Sequence, residues 1–207
     1  TVSRGAGAAG AAPPPDARPT VVVTAGPAPR FPAATYDAGV SAHVASGRRN
    51  PRAMTAGLKT LAYTDAVAAL IEARRAGADD ALFLDTDEHC SEGASSNLFV
   101  WTGDALLTPP VSCGALPGIT RDAVIALAGD GDLRVLERPF ALAELRAAHE
   151  AFLTSSLREL APLVRVGGVP VGDGVPGPVT RSLIAAYRAL VRRECGADAG
   201  APAGADA

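Results

Sequence analysis

Lysine is almost absent from this sequence: of its 19 basic residues only Lys59 is a lysine, and the other 18 are arginines. Other absences narrow the field. No apolar run approaches the roughly 20 residues that a membrane helix needs, and no secretory leader pattern is visible. A net charge of −3 offers neither a basic nucleic-acid surface nor a polybasic membrane anchor. Cys90, Cys113 and Cys195 are irregularly spaced, which suggests neither a disulfide framework nor a zinc site, and no metal is expected. His43, His89 and His149 show no ligand spacing either. With 48% apolar and 20% charged residues, the chain reads as an ordinary cytoplasmic globular protein. The lone lysine is the sharper fact. A guanidinium cannot deprotonate and attack a carbonyl, so an arginine-rich chain keeps an amine where Schiff-base chemistry requires one.

Residues 4–19 are rich in Gly, Ala and Pro and precede a strand-like run, Thr20–Thr24. Gly5, Gly7 and Gly10 satisfy the spacing G-x-G-x-x-G, but Pro13-Pro14-Pro15 follows where a dinucleotide site needs a helix, so the segment reads as a loop. Thr1–Gly5 reads as a strand end, so the chain is expected to start inside a fold. Four segments are expected: residues 1–27 as part of a small domain, 28–38 as a linker, 39–195 as a large domain and 196–207 as a disordered tail. The large domain alternates strands and helices, an α/β (α+β) pattern. Strands are expected at 40–45, 81–85, 96–101, 105–108, 133–137, 150–154 and 163–171. Helices are expected at 64–76, 120–128 and 178–194, the first packing through Val67, Leu70 and Ile71 and the last through Leu183, Tyr187, Leu190 and Val191.

Three pieces carry chemistry. Glu92, in Ser91-Glu92-Gly93-Ala94-Ser95-Ser96-Asn97-Leu98-Phe99, reads as an acid on a turn flanked by small residues. Gly118-Ile119-Thr120 opens a helix, offering free N–H groups, a hydroxyl and a positive dipole end to an anion. Thr154-Ser155-Ser156 closes an apolar strand with three hydroxyls, a second anion cup. Taken singly, these read as an N-cap, a solvated turn acid and a polar loop. Together with a lone amine they are the parts of a pyridoxal phosphate site.

The stretch from Glu92 to Arg121, with Asn97, Leu98-Phe99, Thr108-Pro109 and Leu116-Pro117-Gly118-Ile119-Thr120-Arg121 in order, resembles the signature of the class IV (fold type IV) pyridoxal-phosphate enzymes. That family includes the branched-chain and D-amino-acid aminotransferases and aminodeoxychorismate lyase. Gly57-Leu58-Lys59-Thr60, Phe152–Ser156 and Gly177-Pro178-Val179-Thr180 extend the likeness. The resemblance implies the fold type IV large domain with only the tail end of the small one. Pyridoxal 5'-phosphate would be held on Lys59 as Schiff-base lysine, with Glu92 facing the ring nitrogen. Gly118, Ile119 and Thr120, with Ser155 and Ser156, would hold the phosphate; Leu116 would pack on the ring, and Ser95 and Ser96 would line the cleft. The implied activity is amino-group transfer between a small amino acid and a 2-oxo acid in a homodimer, with no nucleic-acid or membrane partner. Cleavage of aminodeoxychorismate to 4-aminobenzoate and pyruvate is the alternative within the family, and a truncated, non-catalytic remnant is the alternative outside it.

The chain also departs from the pattern. Many relatives place a tyrosine five residues after the lysine, whereas Tyr63, the candidate for the ring hydroxyl, stands four after Lys59. Arg48 and Arg52 both fit as the arginine that approaches the ring upstream of the lysine. Relatives carry a further segment before the stretch matching Thr1, which supplies a phosphate-binding arginine. The chain alone is therefore expected to hold cofactor weakly.

Overall fold

A computed structural model describes residues 1–7, 10 and 12–196, so of the tail expected over 196–207 all but Gly196 lies outside the described residues. The chain divides into two compact units, Thr1–Arg30 and a second beginning at Phe31. In the first, β1 (Val2–Ser3) pairs antiparallel with β2 (Thr20–Val21). The run expected over Thr20–Thr24 is thus a two-residue strand with exposed side chains, and residues 12–19 contain no helix.

The second unit runs α1 (Ala34–Asp37), β3 (Val40–Arg49), α2 (Thr64–Arg75), β4 (Asp80–Asp85), β5 (Cys90–Gly93), β6 (Asn97–Trp101) and β7 (Leu106–Thr108). A 3-10 turn (Val111–Cys113) follows, then α3 (Ile119–Asp130), β8 (Val135–Glu137), α4 (Leu142–Arg146), β9 (Glu150–Ser155), β10 (Glu159–Val166), β11 (Val169–Pro170) and α5 (Pro178–Cys195). This is the mixed α/β architecture expected.

Strand pairing closes on itself. The sequence β3-β4-β5-β6-β9-β10 returns to β3, with β10–β3 and β3–β4 parallel and the other pairs antiparallel. Within this ring β4, β6 and β9 are buried on both faces, which is why they read as nearly continuous apolar runs instead of alternating ones. Leu98, Val100, Leu153, Leu82 and Leu84 fill one cluster. Their neighbours Phe99 and Phe152 point the other way and pack with Leu183 and Ile184 of α5 and Val124 of α3. The two phenylalanines oppose each other in register and stack at 5.0 Å.

Three local expectations are corrected. Glu92 lies in a strand, not on a turn; the turn comes after it, at residues 94–96. The strand expected over 163–171 is instead the hairpin β10–β11, reversed at Gly167 and Gly168, whose positive φ angles of 58° and 80° suit a tight two-residue turn. Helix α2 buries Ala66, Ala69 and Ala73, while Val67 and Ile71 face outward. The alanine face lets the helix axis come close to Ala45, Ala81 and Phe83, which a Val/Ile face would hold off. Helix α5 packs through Leu183, Ile184 and Tyr187. Its N-terminal N–H groups at Val179 and Thr180 donate to the buried Glu150 carboxylate at 3.0 and 2.7 Å, so Gly177-Pro178-Val179-Thr180 serves the helix start.

Candidate active site

Adjacent strands of the ring put three polar side chains in one row. Glu92 of β5 opposes Asn97 of β6, and Asn97 opposes Thr154 of β9. Opposed residues project to the same face. All three are buried, and they form one wall of a cavity of about 960 Å³. Lys59, Tyr63, Ser95, Ser96, Leu116, Gly118, Ile119, Thr120, Ser155 and Ser156 line the same cavity. The lysine, the acid and both expected phosphate cups thus reach one space, although they come from separate segments.

The Lys59 ammonium nitrogen donates to the Tyr63 hydroxyl at 2.8 Å. One residue early, Tyr63 still meets the lysine, because it stands at the start of α2 where the 50–63 loop ends. Glu92 Oε2 accepts the Leu116 N–H at 2.8 Å, and Arg49 Nε lies 3.0 Å from Oε1. Burial pushes the Glu92 carboxyl up from its ordinary value; the Leu116 N–H and the charges of Arg49 and Lys59 pull it back in part.

Arg49 is the arginine at the Glu92 wall. Arg48 borders the cavity, but its guanidinium is committed to Glu88 at 2.7 Å and to the carbonyls of Ala45, Ser46 and Gly47. Arg52 does not line the cavity. The alternation of β3 decides this: Arg48 and Arg49 project to opposite sides, and only the second lies over Phe83, with its guanidinium carbon 4.1 Å from the ring centre.

The loop carrying Leu116 is held by Asn97, whose Nδ2 donates to the Leu116 carbonyl at 2.7 Å. A Cβ on Gly118 would overlap the Asn97 amide oxygen, so glycine is required there for space. Gly118 is also the N-cap of α3 and supplies no side-chain cap. The first N–H groups of the helix, at Ile119 and Thr120, therefore keep no partner within the helix or from a capping side chain. The hydroxyls of Thr120, Ser96 and Thr154 are buried, line the cavity and have no hydrogen-bond partner in the structure. Buried unpartnered hydroxyls are costly, about 1–3 kcal/mol each. Thr120 at an uncapped helix start, with two more such hydroxyls on the same cavity, fits a ligand bearing an anionic group with several acceptor oxygens. Ser155 is partly committed, since its hydroxyl accepts the Arg158 N–H at 3.1 Å; Ser156 is exposed at the rim.

Sequence reasoning missed Arg49, Asn97 as a loop clamp, and Thr154 as the buried member of its hydroxyl run. Arg121, the last residue of the signature, does not line the cavity. It is buried and ties Pro109 to Glu137, with donor distances of 3.1 and 2.6 Å.

Residues 1–166 match the family model described as amino-transferase class IV. The branched-chain-amino-acid aminotransferase of Salmonella typhimurium is 36% identical over 191 residues, covering 89% of this chain and 61% of that protein. The chain thus spans about three-fifths of the length of that relative. Among solved structures, the Escherichia coli branched-chain amino acid aminotransferase superposes with a TM-score of 0.80 at 34% identity, over 93% of this chain and 62% of that one. The branched-chain amino acid aminotransferase of Thermobaculum terrenum, in its PLP-form, gives 0.72 at 37% identity, over 75% of this chain and 52% of that one.

Proposed function

This chain belongs to the class IV aminotransferases, and from that we propose that it is a pyridoxal 5'-phosphate-dependent aminotransferase acting on a small amino acid and a 2-oxo acid. The observation that carries the reading is the convergence, on one cavity, of the sole lysine, a buried carboxylate and an uncapped helix start. The relatives' names favour transfer over the lyase reaction, and a branched apolar side chain as the substrate class.

We infer that Lys59 holds the cofactor covalently and that Glu92 faces its ring nitrogen. The N–H groups of Ile119 and Thr120, with the hydroxyls of Thr120, Ser155 and Ser156, would hold its phosphate. Leu116 would pack on the ring, and Ser95, Ser96 and Tyr63 would border the cleft. When bound, pyridoxal phosphate supplies an electron sink for the pair left behind when a substrate α-proton departs. The protein's own part is positional and electrostatic. Lys59 Nζ, once free as an amine, would take the proton from the substrate α-carbon and carry it for return, while the Tyr63 hydroxyl 2.8 Å away holds the amine in place. The Glu92 carboxylate would favour a proton on the ring nitrogen, and Arg49 and the Leu116 N–H favour its charged form and hold it in place. The apolar ring beneath excludes water on that side.

A homodimer is part of this proposal. Met54, Leu58, Leu61 and Leu157 on loops, and Ile119 at the start of α3, are large apolar residues exposed around the cavity, as surfaces awaiting a partner are. Three free cysteines suit the reducing cytoplasm; among the described residues no helix is long and apolar enough to cross a membrane. The test is to incubate the protein with cofactor, a branched-chain amino acid and 2-oxoglutarate. Glutamate formation supports the reading. Pyruvate release from aminodeoxychorismate without glutamate formation would replace it with the lyase.

A further inference from the structure

Asp85, His89 and Cys113 bring one ligand atom each to within 4.8 Å of one another, outside the lining of the cavity described above. From this geometry we propose that the three residues form a zinc-class metal site that pins the loop leading into the candidate active site. Cysteine and histidine spacing argued against any zinc site, but spacing reads only ligands close in sequence; here one strand end, its hairpin loop and a distant 3-10 turn supply them.

The loop is built to present ligands. Asp85 Oδ1 accepts the N–H groups of Asp87 and His89, both at 2.9 Å, and the Asp85 N–H donates to the His89 carbonyl at 2.8 Å. Glu88, at φ 64°, takes the left-handed conformation the tight loop requires. With Oδ1 committed to the backbone, Oδ2 is left facing His89 Nδ1 at 3.4 Å. Cys113 is buried beside it, its sulfur within reach of both ligand atoms. A divalent ion with one carboxylate, one thiolate and one neutral imidazole makes a neutral set, the condition for ionised ligands to stay buried. Zinc–oxygen and zinc–nitrogen distances of about 2.0–2.1 Å and zinc–sulfur of about 2.3 Å need the donors to close by roughly 1 Å, and a fourth position stays open to water. His89 is 39% exposed in its side chain and free to make that adjustment. On binding, the thiol proton leaves to solvent and the sulfur lone pair forms the bond to the metal.

The site also has something to hold. Cys113 ends the 3-10 turn; Gly114 follows against Arg49, and Leu116, two residues on, donates to Glu92. A metal at Cys113 therefore anchors the stretch that fixes the Glu92 carboxylate.

The experiment titrates zinc into the full chain with cofactor bound, in a Cys195→Ser background that removes the exposed thiol, and follows it by calorimetry and by X-ray absorption at the zinc edge. Expected are one zinc per chain, one sulfur scatterer at about 2.3 Å and the rest light atoms nearer 2.0 Å. Cys113→Ser should lose the sulfur scatterer, and Cys113→Ser and His89→Asn should each weaken binding about 100-fold, since even outer-shell changes cost 10- to 100-fold. His89 is partly exposed, so that variant serves as a folding-neutral check on the Cys113 result. No stoichiometric zinc, or zinc that survives both substitutions, would mean that the three groups form only a hydrogen-bonded cluster.

Discussion

Arg49 and Glu92 meet at the wall of the cavity, with Nε 3.0 Å from Oε1 and the guanidinium carbon 4.1 Å from the centre of the Phe83 ring. The pair sits where burial works against the carboxylate and the arginine works for it. Nε is buried and has no well-aligned hydrogen bond despite the short distance, so the attraction is mainly one of charge. Arg49→Met keeps an unbranched side chain over Phe83 and removes that charge. The Glu92 carboxyl then rises further, and the charged form is lost at a higher pH as pH falls. The acid limb of kcat/KM should move upward in Arg49→Met and much less in Arg49→Lys. An unmoved limb in both would assign Arg49 to packing alone.

Glu92→Gln should separate catalysis from binding. The amide keeps an acceptor for the Leu116 N–H but cannot hold a proton on a ring nitrogen. Each unit of ring pKa is worth about 1.4 kcal/mol, so a loss of two units lowers turnover roughly 100-fold. Cofactor retention, carried by the phosphate contacts, should change far less. Turnover near that of the wild type would reduce Glu92 to a wall residue.

The same substitution has a signature in stability. Because the folded-state pKa of Glu92 is raised, the fold favours its protonated form, and the stability of the cofactor-free chain falls as pH rises through that window. Glu92→Gln removes this penalty. Its melting temperature relative to wild type should be more favourable at pH 7 than in acid below the ordinary carboxyl range, where both side chains are neutral. A difference that does not change with pH contradicts the assignment.

The sequence made the chemistry legible because it is local. Lys59, the Glu92 segment and the Gly118-Ile119-Thr120 helix start each carry their meaning within a few residues. Arg49 was hidden because choosing among Arg48, Arg49 and Arg52 requires knowing which side of β3 faces the cavity, and that depends on strand register. Glu92 read as a turn acid because Ser91, Gly93 and Ser95 are turn-forming types; the ring pairs this stretch on both sides and overrides the propensity. The α2 face was misread for a related reason. A Val/Leu/Ile stripe has the stronger hydrophobic signal, but close approach to the sheet selects the alanines, with Leu70 alone of that stripe packing beside them.

That inversion can be measured. Ala73 is almost fully buried, so Ala73→Leu overpacks the contact with the sheet and should cost about 1–3 kcal/mol in a denaturant midpoint experiment. Val67→Ser, on the outer face, should stay within about 0.5 kcal/mol. The reverse order would restore the Val67/Ile71 face as the buried one.

Gly118→Ala tests the loop clamp. The added methyl meets the Asn97 amide oxygen and must push away either Asn97 or the helix start. Cofactor affinity should fall at least about tenfold, equivalent to one charge-assisted phosphate contact of roughly 1.5 kcal/mol, while Gly129→Ala, where the added methyl meets open space, should leave it unchanged. Equal affinity in the two variants would separate the helix start from phosphate binding.

The central claim is that Lys59 carries the cofactor, and its rarity makes the claim directly measurable. Borohydride treatment of the cofactor-loaded protein, followed by peptide mass analysis, should place a single pyridoxyl phosphate on the peptide containing Lys59, the only internal amine in the chain. Lys59→Arg should leave that peptide unlabelled and the enzyme inactive despite its retained charge. Label found only at the N-terminal amine, or turnover persisting in Lys59→Arg, would contradict the account.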